Sequence, residues 1–345
     1  MASSNNIITG IKEKFHKYIE NNLLWILFLM IALYVILGGL VSELLYRAVH
    51  SFLDITSAMT FINMWYTYTI GMVVTLVIVC AVFRKNHFIL RSFLPAGVGK
   101  DHEVRVVEDT YEASQNNTFR NMLVGLLIGF LLNCLSVMCA VIHGDLKFYL
   151  DFSAAMIPTF IYAFVMVFIQ SSSEELWCRG YMYERILIHY PLWAAVLVNG
   201  IFFGLLHVTN DGATVLAIAD IVVCGISYSL LRWYMGSIWA AMGVHTMWNF
   251  TQAFIFGLPN SGLVSEVSIF HLDAMNGVSN LIYSYDFGVE GAVPAVILDG
   301  LLGIICLILA KRDGRLGELF MSYEKKAALA EKNADDIQAS AVIEQ

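Results

Sequence analysis

Six residues of this 345-residue chain combine side-chain types and spacings suited to hydrolysis. Glu174 and Glu175 are adjacent, and Arg179 follows Glu175 by four positions; His207 follows Phe203 by four, and Asn249 follows His245 by four. A separation of four places two side chains on one helix face. All six lie in or beside apolar segments, where an ionised group costs roughly 2.5–3.5 kcal/mol even on lenient insertion scales. A chain carries that cost where such groups face a watered interior and act together. Peptide hydrolysis requires a base that activates water and donors that stabilise the tetrahedral oxyanion. Glu174 suits the base. His207 can hold the same water from a facing helix, while His245 and Asn249 can present donors from a single face. Glu175 and Arg179, in the favourable order for an i,i+4 pair, read as a neutralised supporting element.

The elements that must position these groups are helices of membrane length. Apolar runs of about 20 residues are continuous rather than alternating, which indicates helical spans rather than a barrel. Eight are expected, at 23–42, 64–83, 121–142, 153–173, 192–208, 214–232, 237–256 and 293–310. The first follows Lys12, Lys14 and Lys17; it is full length and no A-x-A site follows, so an uncleaved span is expected. The fourth and fifth form a hairpin turning near Tyr190-Pro191. Glu174 lies about 16 residues before that turn and His207 about 16 after it, roughly 25 Å in each case. Arg179, Glu184, Arg185 and His189 lie between, so this end of the hairpin is expected to project, leaving Glu174 in the inner part of the bilayer. In the seventh span His245 falls about nine residues, roughly 14 Å, from its start near Gly236, a compatible depth.

Composition sets the class. Apolar residues make up 58% of the chain and charged residues 14%, against roughly 45–50% and 25% in soluble domains. The expected fold is therefore all-α, a polytopic membrane protein whose eight or so helices enclose a polar cavity. The net charge of −8 resides mainly in loops and tail, and no basic cluster suggests nucleic acid. The six cysteines fall in or beside apolar segments without a CxxC, and read as small buried hydrophobes.

Lys and Arg placement fixes sidedness. The N-terminus, the 84–119 loop, and Lys311, Arg312 and Arg315 are basic, whereas 257–290 carries acids and no Lys or Arg. Both termini are expected in the cytoplasm of a multi-pass protein of the cell membrane, with a bacterial plasma membrane favoured. Lys147 alone falls on the wrong side. The chain divides into a cytoplasmic N-terminus (1–22), N-terminal helices (23–149), core helices (150–256), an extracytoplasmic loop (257–292), a last span (293–315) and a charged tail (316–345).

Each residue also has a plainer reading. His245 alone could bond a backbone carbonyl, Asn249 could join helices, Glu175–Arg179 could be an ion pair at the cytoplasmic end, and Phe203 could be core packing. Asp220 and Asp299, in the sixth and eighth spans, are expected to be structural or cavity-lining, and Asn199 to line the same cavity. Co-occurrence at compatible depths favours one site.

Glu174-Glu175-Leu-Trp-Cys-Arg179-Gly180 fits EExxxRG, Phe203-Gly-Leu-Leu-His207 fits FxxxH, and His245-Thr-Met-Trp-Asn249 fits HxxxN. Their order resembles the CAAX protease and bacteriocin-processing (CPBP, or ABI) family across about 150–256. The resemblance implies a glutamate-dependent intramembrane endopeptidase without cofactor or catalytic metal: Glu174 as base, His207 as water-orienting partner, His245 and Asn249 as oxyanion donors. Its expected partners are the bilayer, a membrane-associated peptide or protein substrate, and other membrane proteins. The alternative within the family is a non-proteolytic scaffold or a bacteriocin-immunity or regulatory protein. A transporter using Asp220, Asp299 and the histidines as a relay is a third reading. HExxH, GxGD and GxSG motifs are missing. A zinc site from Glu174, His207 and His245 remains chemically open, two His and one carboxylate being a catalytic zinc set.

Overall fold

The computed structural model describes residues 31–52, 69–75, 77, 94–96, 116–265, 267–275, 279–326, 328, 329 and 332. Within them the chain is helical apart from one small sheet. A π-helical stretch (Ile31–Gly38) leads into α1 (Gly39–Phe52), and residues 69–75 are helical. Then follow α2 (Phe119–His143), β1 (Leu146–Leu150), α3 (Ile157–Glu175), α4 (Tyr183–His189), α5 (Leu192–Leu205), α6 (Val215–Met235), α7 (Ile238–Phe250), β2 (Phe270–Ala274) and α8 (Val293–Arg312). Most of the expected first two spans, most of the 84–119 loop and the end of the tail lie outside the described residues.

Among the described residues, four helical runs are long and apolar enough to cross a membrane: Phe119–His143, Ala154–His189, Val215–Met235 and Val293–Arg312. Their outer faces confirm the solvent. On α2, Leu123, Leu127, Leu131 and Leu135 recur every four residues and are all exposed. Water would not tolerate that stripe; hydrocarbon, as apolar as leucine, does. The protein is thus a helical membrane protein.

The fourth expected span proves longer than 153–173. A π-helical segment (Leu176–Met182) fuses α3 to α4, so the helical run continues from Ala154 to His189 before the predicted turn. α5 starts after Pro191, whose missing N–H is no loss there. It ends at Leu205, so His207 sits in the following turn rather than in a helix. The seventh expected span divides into α7 and a π-helical turn (Thr251–Ile255).

The strands were not expected. β1 pairs antiparallel with β2, Leu146 opposite Ala274 and Leu150 opposite Phe270. The sheet joins the α2–α3 connection to the α7–α8 connection at one end of the bundle, opposite the Tyr190-Pro191 turn. Lys147, the residue on the unexpected side, belongs to β1 and lies 5.2 Å from the Tyr149 ring centroid. At the other end, 3₁₀ residues Leu316–Phe320 and the stretch after them fold back onto the hairpin: Leu192 N–H donates to Met321 O, and the Tyr323 hydroxyl donates to Glu184 Oε2 at 2.9 Å.

Two helix pairs meet backbone to backbone. A Cβ placed on Gly129 of α2 would lie 2.2 Å from Val244 O of α7 and 3.0 Å from Trp248 N. One placed on Gly225 of α6 would lie 2.9 Å from the Cα of Gly200 on α5. Only glycine permits such approaches, which bring the helix axes closer than side chains would allow.

Candidate active site

A cavity of about 330 Å³ opens among α3, α5, α6, α7 and α8. Glu174, His207, His245 and Asn249, drawn from three separate segments, all line it. The cavity is also lined by Asn210, Asn260, Ser261 and Glu290, from connections at the sheet end. It therefore runs from the helix midsections toward that end, away from the hairpin turn.

Glu174 closes α3. Its Oε1 accepts from Gln170 Nε2 at 2.7 Å, one helical turn earlier. Its Oε2 has no hydrogen-bond partner among the described residues and lies 3.7 Å from His245 Nε2. That separation exceeds a direct hydrogen bond, yet one water can touch both atoms.

His245 is held from behind. Glu175, fully buried, accepts from His245 Nδ1 at 3.0 Å and from Arg179 Nη1 at 2.9 Å, both through Oε1. A carboxylate flanked by a guanidinium accepts, so Nδ1 carries the proton and Nε2 turns to Glu174. Glu175 and Arg179 form the i,i+4 ion pair read as a neutralised supporting element, and both are wholly buried beneath the site rather than at the end of the Ala154–His189 helical run. Arg179 also donates from Nη2 to Gly225 O at 3.1 Å, and its guanidinium carbon lies 4.3 Å from the Phe203 ring centroid and 5.7 Å from that of Tyr228. Phe203 accordingly does more than fill the core: it stacks under Arg179, meets the His245 ring edge-on and lines the cavity.

His207 is oriented locally. Its Nδ1 lies 2.9 Å from Phe203 O. A carbonyl only accepts, so Nδ1 carries the proton and the neutral ring keeps the Nε2 lone pair. Asn249 Nδ2 makes only long contacts, 3.4 Å to Gln170 Oε1 and 3.5 Å to Ser171 Oγ, while its Oδ1 accepts from Asn260 Nδ2 at 3.2 Å. The amide is thereby turned with its nitrogen toward α3 and remains weakly engaged as a donor.

Asn199 does not line the cavity as expected. It donates to the Cys178 carbonyl, which already accepts from Tyr183 N–H within the π-helical segment, and so ties α5 to that segment. Asp220 and Asp299 do line the cavity, both buried. Sequence reasoning did not single out Gln170, Ser171, Asn260 or Glu290; the polar run Gln170-Ser-Ser-Ser173 ahead of Glu174 was the available signal. Among the described residues, no group of three or more His, Cys, Asp or Glu is placed to hold a metal ion.

Residues 154–251 match the family model described as Rce1-like, type II CAAX prenyl endopeptidase Rce1-like. The matched stretch contains all three motifs. No curated protein matches the chain. Residues 154–251 are thus similar to that endopeptidase family, and this segment supplies Glu174, His207, His245 and Asn249 to the cavity.

Proposed function

We propose, from that family segment, that the protein is a glutamate-dependent intramembrane endopeptidase acting on a membrane-associated protein or peptide precursor. Glu174 takes a proton from water, and the resulting hydroxide attacks the scissile carbonyl carbon. Asn249 Nδ2 and the His245 ring stabilise the oxyanion, and the proton held by Glu174 passes to the departing amine. His207 positions the water through Nε2. Because His245 Nδ1–H donates to Glu175, a donor at His245 Nε2 as well requires the doubly protonated ring. Glu175 and Arg179 act as positioning residues.

The observation that carries this reading is Glu174 Oε2. It is a buried carboxylate oxygen without a partner among the described residues, 3.7 Å from an imidazole nitrogen on another helix, beside a cavity with room for a peptide segment. Glu175, by contrast, has Arg179 as its counter-charge through Oε1.

On this reading the protein sits in a bacterial plasma membrane with both termini in the cytoplasm. Support comes from the basic Arg232, Lys311, Arg312 and Arg315 at one end of the bundle and their scarcity at the sheet end. The test compares membrane-proximal peptides by mass spectrometry in cells carrying wild type or Glu174→Ala at matched membrane levels. Cleavage products lost in the variant support the reading; identical peptide profiles overturn it.

A further inference from the structure

We propose that Asp220 and Asp299, on the α6–α8 side of the cavity, form a subsite that takes a lysine or arginine side chain of the substrate, an assignment that rests on the endopeptidase reading above. Asp220 comes from α6 and Asp299 from α8, two helices packed along their length, with Ser227 Oγ donating to Asp299 O at 2.7 Å to fix their register. Both side chains line the cavity, and each residue is only 1% exposed.

What marks these two acids is the lack of a match. The Oδ1 atoms of Asp220 and Asp299 have no hydrogen-bond partner among the described residues. The other deeply buried acids nearby each have a partner. Glu175 also leaves Oε2 without a hydrogen bond, but through Oε1 it binds Arg179 and His245, and Glu290 accepts from Trp248 Nε1 at 3.2 Å and from Ser261 Oγ at 2.7 Å. Arg179, the buried guanidinium beside α6, is committed to Glu175 and to Gly225 O. Among the described residues no Lys or Arg lines the cavity. Buried carboxylates left without hydrogen bonds or counter-charge are costly, and a cation entering from the cavity removes that cost.

The chemistry selects the ligand class. A guanidinium presents several donors in one plane and can bridge two carboxylates; an ammonium can do so as a point charge. Tyr228 and Trp248 line the same cavity, and aromatic rings are favourable neighbours for a cation. Glu174 and His245 share this cavity, so a peptide whose scissile bond lies at Glu174 can extend a nearby side chain to the aspartates. The two acids thus act as a specificity determinant, apart from the hydrolytic step.

The experiment uses the full chain in lipid nanodiscs and a library of lipid-anchored peptides, each made with arginine or with its neutral isostere citrulline. Wild type is expected to cleave arginine peptides with kcat/KM at least about tenfold above their citrulline counterparts, carried mainly by KM. Asp220→Asn and Asp299→Asn are expected to bring that ratio close to one. Equal kcat/KM for both sets in wild type overturns the proposal without needing any variant to fold. If no peptide is cleaved in a Glu174-dependent manner, the endopeptidase reading fails separately. The subsite is then judged by equilibrium binding of the same peptides: arginine-selective binding lost in both Asp→Asn variants upholds it, and equal binding of the two sets overturns it. Stabilisation by sodium, magnesium or calcium alone, lost in the same variants and competing with no peptide, assigns the aspartates to an inorganic cation and overturns it too.

Discussion

Glu175 Oε1 holds the His245 ring at 3.0 Å while the same oxygen holds Arg179 at 2.9 Å. Adjacent glutamates therefore meet opposite edges of one imidazole: Glu175 binds Nδ1, and Glu174 faces Nε2 from 3.7 Å. The doublet occupies the junction where α3 gives way to the π-helical segment. That change of winding accompanies two neighbouring side chains turning to one ring.

The two glutamates should separate on substitution. Glu174→Gln is expected to lower turnover by about 10²–10⁴-fold, the usual worth of a general base, with little change in thermal midpoint. Glu175→Gln leaves Arg179 buried without its counter-charge and is expected to cost about 3–5 kcal/mol of stability as well as activity. Thermal unfolding and turnover measured on the same nanodisc preparations check both; equal destabilisation by the two changes would contradict the assignment.

Gly129→Ala and Gly180→Ala provide a steric comparison. At Gly129 the new methyl meets a carbonyl oxygen at 2.2 Å, which only backbone movement relieves, so a loss of about 1–3 kcal/mol is expected. At Gly180, although it lies in the EExxxRG motif, the nearest atoms are Ile238 Cδ1 at 3.6 Å and Glu175 O at 3.8 Å. That substitution is expected to be neutral or to gain about 0.5–1 kcal/mol. Chemical denaturation of the two variants beside wild type decides the matter.

Tyr323→Phe removes the donor to Glu184 Oε2, which also pairs with Arg232 through Oε1. Loss of a hydrogen bond to a charged group is expected to cost about 1.5–3 kcal/mol. Turnover below the unfolding range should be preserved, because this cluster lies at the end of the bundle away from the cavity. A fall in turnover without a fall in midpoint would show that the tail acts on the site.

Burial, opposed by hydrogen bonds from Ser261 and Trp248, leaves the Glu290 carboxyl pushed up to about 7. The folded state therefore binds more protons than the unfolded state between about pH 4.5 and pH 7, and stability falls as pH rises through that window. The change amounts to about 3 kcal/mol at most. Glu290→Gln is expected to flatten the curve of thermal midpoint against pH over that range, and a curve unchanged in shape would refute the assignment.

Much of this was legible in the sequence because membrane helices announce themselves through apolar length, and reactive groups within them stand out by cost. The α2, α6 and α8 boundaries fall within about three residues of the expected ones. The four residues of the three motifs line one cavity as their residue counts suggested. The sheet was not legible, since β1 and β2 are five residues each and joined across more than a hundred positions. Nor was the attachment of Glu175 to His245, a contact between residues 70 apart, which an i,i+4 reading with Arg179 conceals. Asn199 was misplaced because depth along a helix says nothing of azimuth, and its amide points to the Cys178 carbonyl.

The glycine contacts divide the walls of the cavity by compliance. α2 with α7, and α5 with α6, touch through main chain, so neither pair has a deformable layer of side chains within it. Elsewhere, as where α3 meets α7 and the π-helical turn after it, Met166, Val167, Phe250 and Phe254 cluster as side chains, which can re-pack. Any widening of the cavity is therefore expected between these stiff pairs rather than within them, at walls lined by side chains.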